Sequence, residues 1–432
     1  MKILHLMPAM NPGGAVQGPR SLIRLLSSAH HTVFVFEPKM RGIDLVAFMQ
    51  EGAKVLRSPG AETLHAEITA ADVVLVHGFN HPALIQALAG PLPDARWVVW
   101  FQVIGRSMPQ LVFPERLDPG VVSVFMAEPK TAGEGDWPVI PGMVRPEFVH
   151  LERQPHEGVV VDYIGSMNIA KLHPGAIRFL DAVHHPGLKI RIHGGPLNQE
   201  MRADLNRATR PECFDIGGFA NDVPALLATS DIFISPMAPD SYASSDLALQ
   251  EAMHAGLVPV VLGEGGPAAM ITDRIDGRVT TTGDDFTAAI QVLCDDEDAR
   301  NRMGTAAKKT ALDRFDPVKN ADRMAQILDA RALAPKSPYG YTVRKDLSPA
   351  ALYLISQGWE EDVAVAALAN DRRQDLERFA ASLGHVAATV EGGLIQWRNA
   401  CPDDANLRWM SGVWHEATGA HAIAHAEFAS VP

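Results

Sequence analysis

Cysteine is scarce in this sequence. Cys213, Cys294 and Cys401 are the three among 432 residues, widely spaced and without a CxxC pair or a His/Cys cluster. Neither a disulfide framework nor a structural metal site is expected, and a reducing cytoplasm suits such a chain. Long apolar runs are also missing: no segment approaches the roughly 20 residues of a membrane-spanning helix. Basic residues are in deficit, 38 Lys and Arg against 51 Asp and Glu, for a net charge of −13. The dense basic stripe that neutralises nucleic-acid phosphates is therefore absent. There is no GxGxxG, so a nicotinamide dinucleotide site lacks its main signature. The opening MKILHLMPAMNPGG stops at a Pro-Gly turn without a clear cleavage site and reads as a buried strand rather than a signal peptide.

What the chain does have is a repeated pattern. Its length suggests two or three domains, and an apolar fraction of 47% is that of an ordinary globular protein. Short apolar runs at 3–7, 33–36, 73–76, 97–101 and 122–126 alternate with helix-like segments, which predicts a parallel sheet covered by helices. After the turn VIPGMVRPEF (139–148) the pattern restarts, with runs at 159–165, 188–195, 231–236 and 258–263. The expected fold class is α/β, with two facing Rossmann-like domains, residues 1–145 and 146–333, the second including a returning helix near 316–330. A cleft would lie between the carboxyl ends of the two sheets. Residues 334–432 read as a helical appendage, whose end LRWMSGVWHEATGAHAIAHAEF has the spacing of one tetratricopeptide unit.

Several residues fall where strands meet that cleft. Gly13 and Gly14 follow the first strand, before a helix expected near Pro19; glycine there makes a tight turn or lets backbone amides approach an anion or sugar. Lys171 sits in a strand-to-helix loop that Pro174 helps to end, and is either a solvated lysine or a counter-charge for a diphosphate. His77 and Gln102 end strands of the first half. The histidine is a base or a hydrogen-bonded structural group, and the glutamine is neutral and suited to orienting a hydroxyl. In SYASSDLALQEAMHAGLVPVV (241–261), Ser244 and Ser245 are N-cap candidates, Asp246 stands at the positive end of a helix, and Gly256 stops it before an apolar strand. Glu251, in the middle of that alanine-rich helix, needs a partner.

The combined pattern over about residues 1–330 resembles the retaining family 4 glycosyltransferases, which have the glycosyltransferase-B fold. Its strongest part is GGFANDVPALLATSDIFISPMAPDSYASSDLALQEAMHAGLVPVVLGEGGPAAMI (217–271), similar to the family's donor-binding block. The resemblance implies that Glu251 binds the ribose hydroxyls of a nucleotide sugar and Lys171 its diphosphate. Gly14 would face the diphosphate across the cleft, and the nucleoside would lie near Phe219 and Val223. Ser244, Ser245 and Asp246 would assist on the donor side. Gly13 and His77 would line the acceptor side, with catalysis carried by Gln102, Lys171 and Asp246.

The sequence departs from the family at three positions. Ala243 stands where a glutamate would bind the transferred sugar, Ser166 where an arginine often meets the phosphate, and Gln102 where a histidine is common. The implied function is transfer of a hexose-like sugar, with retention and without metal or cofactor, to a carbohydrate or lipid-linked acceptor. The alternatives are a non-catalytic nucleotide- or glycan-binding subunit and a sugar-nucleotide epimerase. The expected setting is cytoplasmic, with contact to the inner membrane face through Arg20 and Arg24 weighed against an ordinary solvated face. The appendage would dock on the core or mediate protein association.

Overall fold

The computed structural model describes residues 1–10, 13–37, 42–129, 135–239, 241–340, 346–369 and 372–431. Two six-stranded parallel sheets organise the chain. The first contains β1 (Lys2–Met7), β2 (His30–Val35), β3 (Lys54–Arg57), β4 (Val73–Gly78), β5 (Trp97–Phe101) and β6 (Val122–Phe125), in the order β3-β2-β1-β4-β5-β6. The second contains β7 (Val159–Ile164), β8 (Leu188–His193), β9 (Phe214–Gly217), β10 (Ile232–Pro236), β11 (Val258–Leu262) and β12 (Arg278–Thr280), in the order β12-β11-β10-β7-β8-β9. Helices cover both faces, which is why β4, β10 and β11 are buried at every residue and read as unbroken apolar runs rather than alternating ones. In each sheet the strand order reverses beside the first strand, opening a crevice at the carboxyl ends.

Three strands escaped the periodicity reading. KVLR (β3), FDIG (β9) and RVT (β12) are three or four residues long with charged residues or glycine in each, so none shows an apolar run of more than two residues, and each lies at a sheet edge. The first helix spans Gly14–Leu25 with Pro19 inside it, not at its start. Gly14 is thus the first residue of the helix itself and Gly13 its N-cap.

The returning helix, Pro317–Leu333, crosses to the first sheet. Its Ala321, Met324 and Leu328 share one apolar cluster with Ile3, Leu22, Leu75 and Trp100. Beyond it, Ser337 bridges Ala95, and the Trp97 indole donates to the Ser337 carbonyl at 3.0 Å. By packing, residues 317–340 belong with the N-terminal half, so the chain passes between the halves twice.

Seven helices follow among the described residues, from Pro349–Ser356 to His421–Ala429, with unequal lengths between 5 and 13 residues. They enclose their own core around Tyr353, Trp397 and Trp414, and Ile85 and Ala89 of the helix Pro82–Ala89 pack into it. Polar ties complete the docking: Asn80 Nδ2 donates to the Ser356 carbonyl at 3.2 Å and Gln110 Nε2 to the Glu391 carbonyl at 2.7 Å. The tryptophans are therefore structural core, and the tail is docked on the N-terminal half. No helix among the described residues is long and apolar enough to cross a membrane. Arg20 and Arg24 are engaged in ion pairs, with Glu51 at 2.8 Å and Glu147 at 3.2 Å respectively.

Candidate functional site

The helix Leu247–His254 starts at the cleft, and Asp246 is its N-cap: its carboxylate accepts from Ala248 N at 3.2 Å. Ser244 and Ser245 lie outside the helix and neither caps it. The Ser244 hydroxyl donates to the main-chain carbonyl of Gln102 at 2.6 Å, and Ser245 Oγ accepts from Gln250 Nε2. The Ser244 hydroxyl is spent on that carbonyl, so the expectation that it donates to a ligand is corrected; Ser245, half-buried, only accepts from Gln250 and keeps its own O–H for another acceptor. The Ala248 amide is likewise occupied by Asp246, which weakens a role for the helix-start amides in anion binding.

Lys171 approaches from the loop after β7. Its Nζ lies 3.3 Å from Asp246 Oδ2 and 3.4 Å from Oδ1. The pair is mostly buried, with Lys171 about a quarter exposed and Asp246 almost enclosed. A side chain on Gly165 would come within 3.1 Å of the ammonium group, so the lysine rests against bare backbone. A lysine so held offers a charge to an anionic ligand while its own carboxylate partner stays fixed by the helix cap. Ser166, exposed beside Gly165, contributes its carbonyl to the Tyr163 hydroxyl at 2.6 Å and supplies no positive charge.

Glu251, one turn further along the same helix, is buried, and its carboxyl has no hydrogen bond or ion pair among the described residues. Burial pushes its carboxyl up to about 8; Arg145 opposes the shift, and Asp246 and Glu147 add to it. This is a proton-carrying acid at neutral pH that a hydroxyl-rich ligand would convert to a paired carboxylate. Beside the same domain's β8 and β9 ends lies an open pocket of about 500 Å³ lined by Gly194, Gly195, Leu197, Arg202, Ile216 and Phe219. Phe219 is 57% exposed, so an aromatic face borders the pocket. Val223 does not line it. That residue is the first of the helix Val223–Ala228 and packs, half-buried, on the apolar cluster beneath Leu249 and Met253.

The N-terminal half closes against this arrangement. Gly13 has φ +150° and open space where a side chain would be, and a side chain on Gly14 would touch Leu247 at 3.6 Å. Glycine is favoured at Gly13 by its backbone, whereas at Gly14 a side chain would make only an ordinary contact with Leu247 at the helix start. Val103 bridges Ala243, and Ile104 N donates to the Tyr242 carbonyl at 3.2 Å. The two halves are hydrogen-bonded along the cleft floor. Gly266 has no room for a side chain, since one would collide with the Ser244 carbonyl.

His77 is not on the acceptor side. It is 1% exposed, shut inside the sheet, and desolvation brings its imidazole down to about 3; its nitrogens are bonded to His5 and Gln102. Gln102 reaches the cleft with its side chain almost buried. One group was missed in the sequence: Arg106, in the loop after β5, whose Nη2 lies 3.9 Å from where a Gly265 side chain would begin. Arg106 has no ion pair among the described residues. A cation five residues past the carboxyl end of a strand was the available signal.

The sequence profile of the family described as Glycosyl transferases group 1 matches residues 147–310, the half that carries Lys171, Asp246 and Glu251. No curated protein matches this chain significantly. Among solved structures, Anabaena HepE in complex with UDP-glucose is similar at 17% identity and TM-score 0.62, over 76% of this chain and 100% of that one. A glycosyltransferase from Rickettsia africae is similar at 15% identity and TM-score 0.62, over 77% and 99%. WaaG, a glycosyltransferase involved in lipopolysaccharide biosynthesis, is similar at 15% identity and TM-score 0.53, over 76% and 99%. At these identities the likeness is one of fold, and it establishes the two-domain glycosyltransferase-B architecture.

Proposed function

We propose that this chain is a glycosyltransferase that takes a sugar from a nucleotide-sugar donor. One observation carries the reading: Lys171, seated on the Asp246 cap, and the unpartnered acid Glu251 stand at one helix within the region that matches the glycosyltransferase profile. In this reading the nucleoside base takes the open pocket between Gly194 and Phe219, and the ribose diol reaches to Glu251, which lies outside the pocket lining. Accepting two O–H bonds stabilises the carboxylate that burial alone disfavours. Lys171, joined by Arg106 from the opposite half, offsets the diphosphate charge as it leaves. No metal or cofactor is invoked in this scheme. Asp246 and Gln102 border the sugar.

The finer reading is a family 4-like, retaining hexosyltransferase acting on a carbohydrate or lipid-linked acceptor that enters from the N-terminal half. It works in the cytoplasm, in polysaccharide assembly at the inner membrane face. In the retaining scheme the leaving phosphate, held by Lys171, takes the acceptor proton on the face it departs from, and no protein nucleophile is needed.

A second reading, a nucleotide- or glycan-binding subunit without transfer activity, is favoured by one feature. Ala243 places a methyl group where the family's sugar-binding glutamate stands, and its backbone is committed to the bridge with Val103. Incubation with UDP-glucose and other labelled sugar nucleotides over a panel of glycan and lipid-linked acceptors decides between the readings. Labelled product supports transfer, an isomerised donor indicates an epimerase, and saturable binding with neither leaves the binding subunit.

A further inference from the structure

Three buried histidines lie on one diagonal across the first sheet. His31 is on β2, His5 on β1 and His77 on β4, and the line ends at Gln102, just past β5. Register explains the geometry. Val33 is paired with His5, Leu75 with His5 and Trp100 with His77. Each step to the next strand therefore advances the line two residues, keeping it on one face. It begins near the start of β2 and reaches the cleft at the carboxyl end of β5.

The contacts are continuous. His31 Nε2 meets the Leu26 carbonyl at 3.0 Å, His31 Nδ1 meets His5 Nε2 at 2.9 Å, His5 Nδ1 meets His77 Nε2 at 3.1 Å, and His77 Nδ1 meets Gln102 Nε2 at 2.9 Å. All four side chains are less than a tenth exposed. A neutral imidazole has one donor and one acceptor nitrogen. The Leu26 carbonyl can only accept, so His31 Nε2 carries the proton and its Nδ1 accepts from His5 Nε2. The same rule then passes to His5 and to His77, whose Nδ1 must accept. The group facing it has to be the NH2 of Gln102. Burial favours the neutral form at each ring.

We propose that His31, His5 and His77 form a polarised hydrogen-bond relay. It locks the Gln102 amide with its NH2 inward, so that Oε1 faces the cleft as an acceptor for a hydroxyl of the bound sugar. Oε1 makes no hydrogen bond among the described residues, whereas the Gln102 main chain is already tied to Ser244. The three histidines are positioning residues. Their effect is to remove the second amide orientation, in which a donor would face the sugar hydroxyl and His77 would meet a carbonyl. A sugar lacking that hydroxyl would leave a nearly buried carbonyl unpaired and bind less well. The sugar contact rests on the nucleotide-sugar reading of the cleft; the relay itself does not.

Long-range 15N–1H spectra of the ligand-free protein read each imidazole tautomer directly. The expected result is the neutral Nε2–H form at His5, His31 and His77, unchanged between pH 5 and pH 8. An Nδ1–H tautomer at any of the three, or titration near 6.5, overturns the relay whatever the protein binds. Gln102→Glu supplies no N–H to His77, so the His77 signal should change to a protonated Nδ1; an unaltered signal in that folded variant also overturns it. For the sugar contact, affinities of UDP and UDP-glucose are compared in wild type and His77→Leu. A loss of roughly 10-fold for UDP-glucose with UDP unchanged, the scale of one hydrogen bond, supports the contact. Equal affinities in both proteins overturn it, and binding of neither ligand to wild type fails the donor reading while the spectra still decide the relay.

Discussion

Ser244 donates its hydroxyl to the main-chain carbonyl of Gln102 at 2.6 Å, from one half of the protein to the other. Both partners are nearly buried, so water does not compete for the bond. It stands beside the bridge between Val103 and Ala243 and fixes the distance between the loop after β5 and the start of the Glu251 helix.

Ser244→Ala should therefore destabilise the closed arrangement by about 1–3 kcal/mol, because the Gln102 carbonyl is left without a partner. Denaturant unfolding measures the loss, and small-angle scattering shows whether the halves separate. Unchanged stability and dimensions would mean that the Tyr242–Ile104 bond and the glycine contacts hold the halves unaided.

Arg106 and Lys171 are assigned to the same diphosphate from opposite sides. Arg106→Ala or Lys171→Ala should each weaken UDP binding by roughly 1.5–3 kcal/mol, the range of hydrogen bonds to charged groups, and flatten its salt dependence. Uridine, with no phosphate, should bind all three proteins alike. Calorimetric titration makes the comparison, and a UDP affinity unaffected by Arg106→Ala removes that residue from the site.

The appendage is predicted to be integral to the N-terminal half. A chain ending at Gly340 keeps the Ser337 bridge and Tyr339 against Trp97, but exposes Ile85, Ala89 and the Asn80 amide that now bonds Ser356. It should lose solubility or self-associate in light scattering. If it stays monomeric with the same unfolding transition as the full chain, the docking contributes little.

The fold was legible where physics leaves long patterns. β1, β4, β5, β10 and β11 are buried on both faces, and apolar runs such as VVLV and WVVWF have no other use. The edge strands β3, β9 and β12 left no such trace, because charged residues or glycine cut each apolar run to two residues or fewer, whereas β6, an edge strand of similar length, carries VSVF and was legible. Lys171 and Glu251 were legible because a charge in an apolar, glycine-rich setting demands an explanation. The sequence could not show that the Ser244 hydroxyl is spent, since its partner is a tertiary fact: Gln102 lies 142 residues away. Nor could it align His5, His31 and His77, whose diagonal exists only in the register of four strands. In the sequence His31 stands beside His30 with no ligand spacing, whereas its ring bonds along the sheet to a histidine 26 residues earlier.

Glu251 gives the sharpest dependence on pH. Its carboxyl is pushed up to about 8 in the folded protein, with burial the main cause and Arg145 only partly opposing it; in the unfolded chain it titrates near the ordinary value of about 4.3. Between these values the folded state binds more protons than the unfolded one, so stability falls as pH rises. The contribution is complete below about pH 4 and lost as pH climbs through 8. Glu251→Gln, which cannot ionise, should match wild type in acid and unfold at a higher temperature than wild type at pH 9, both without ligand. Nucleotide reverses the ranking. If the ribose diol binds the carboxylate, UDP binding at pH 7 releases a proton, seen as a dependence of the calorimetric heat on buffer ionisation. Glu251→Gln should then bind UDP about 10-fold less tightly, release no proton at this site and gain less thermal stability from the ligand. A variant that binds UDP as tightly as wild type, with the same proton release, would show that the buried acid is structural and that the ribose lies elsewhere.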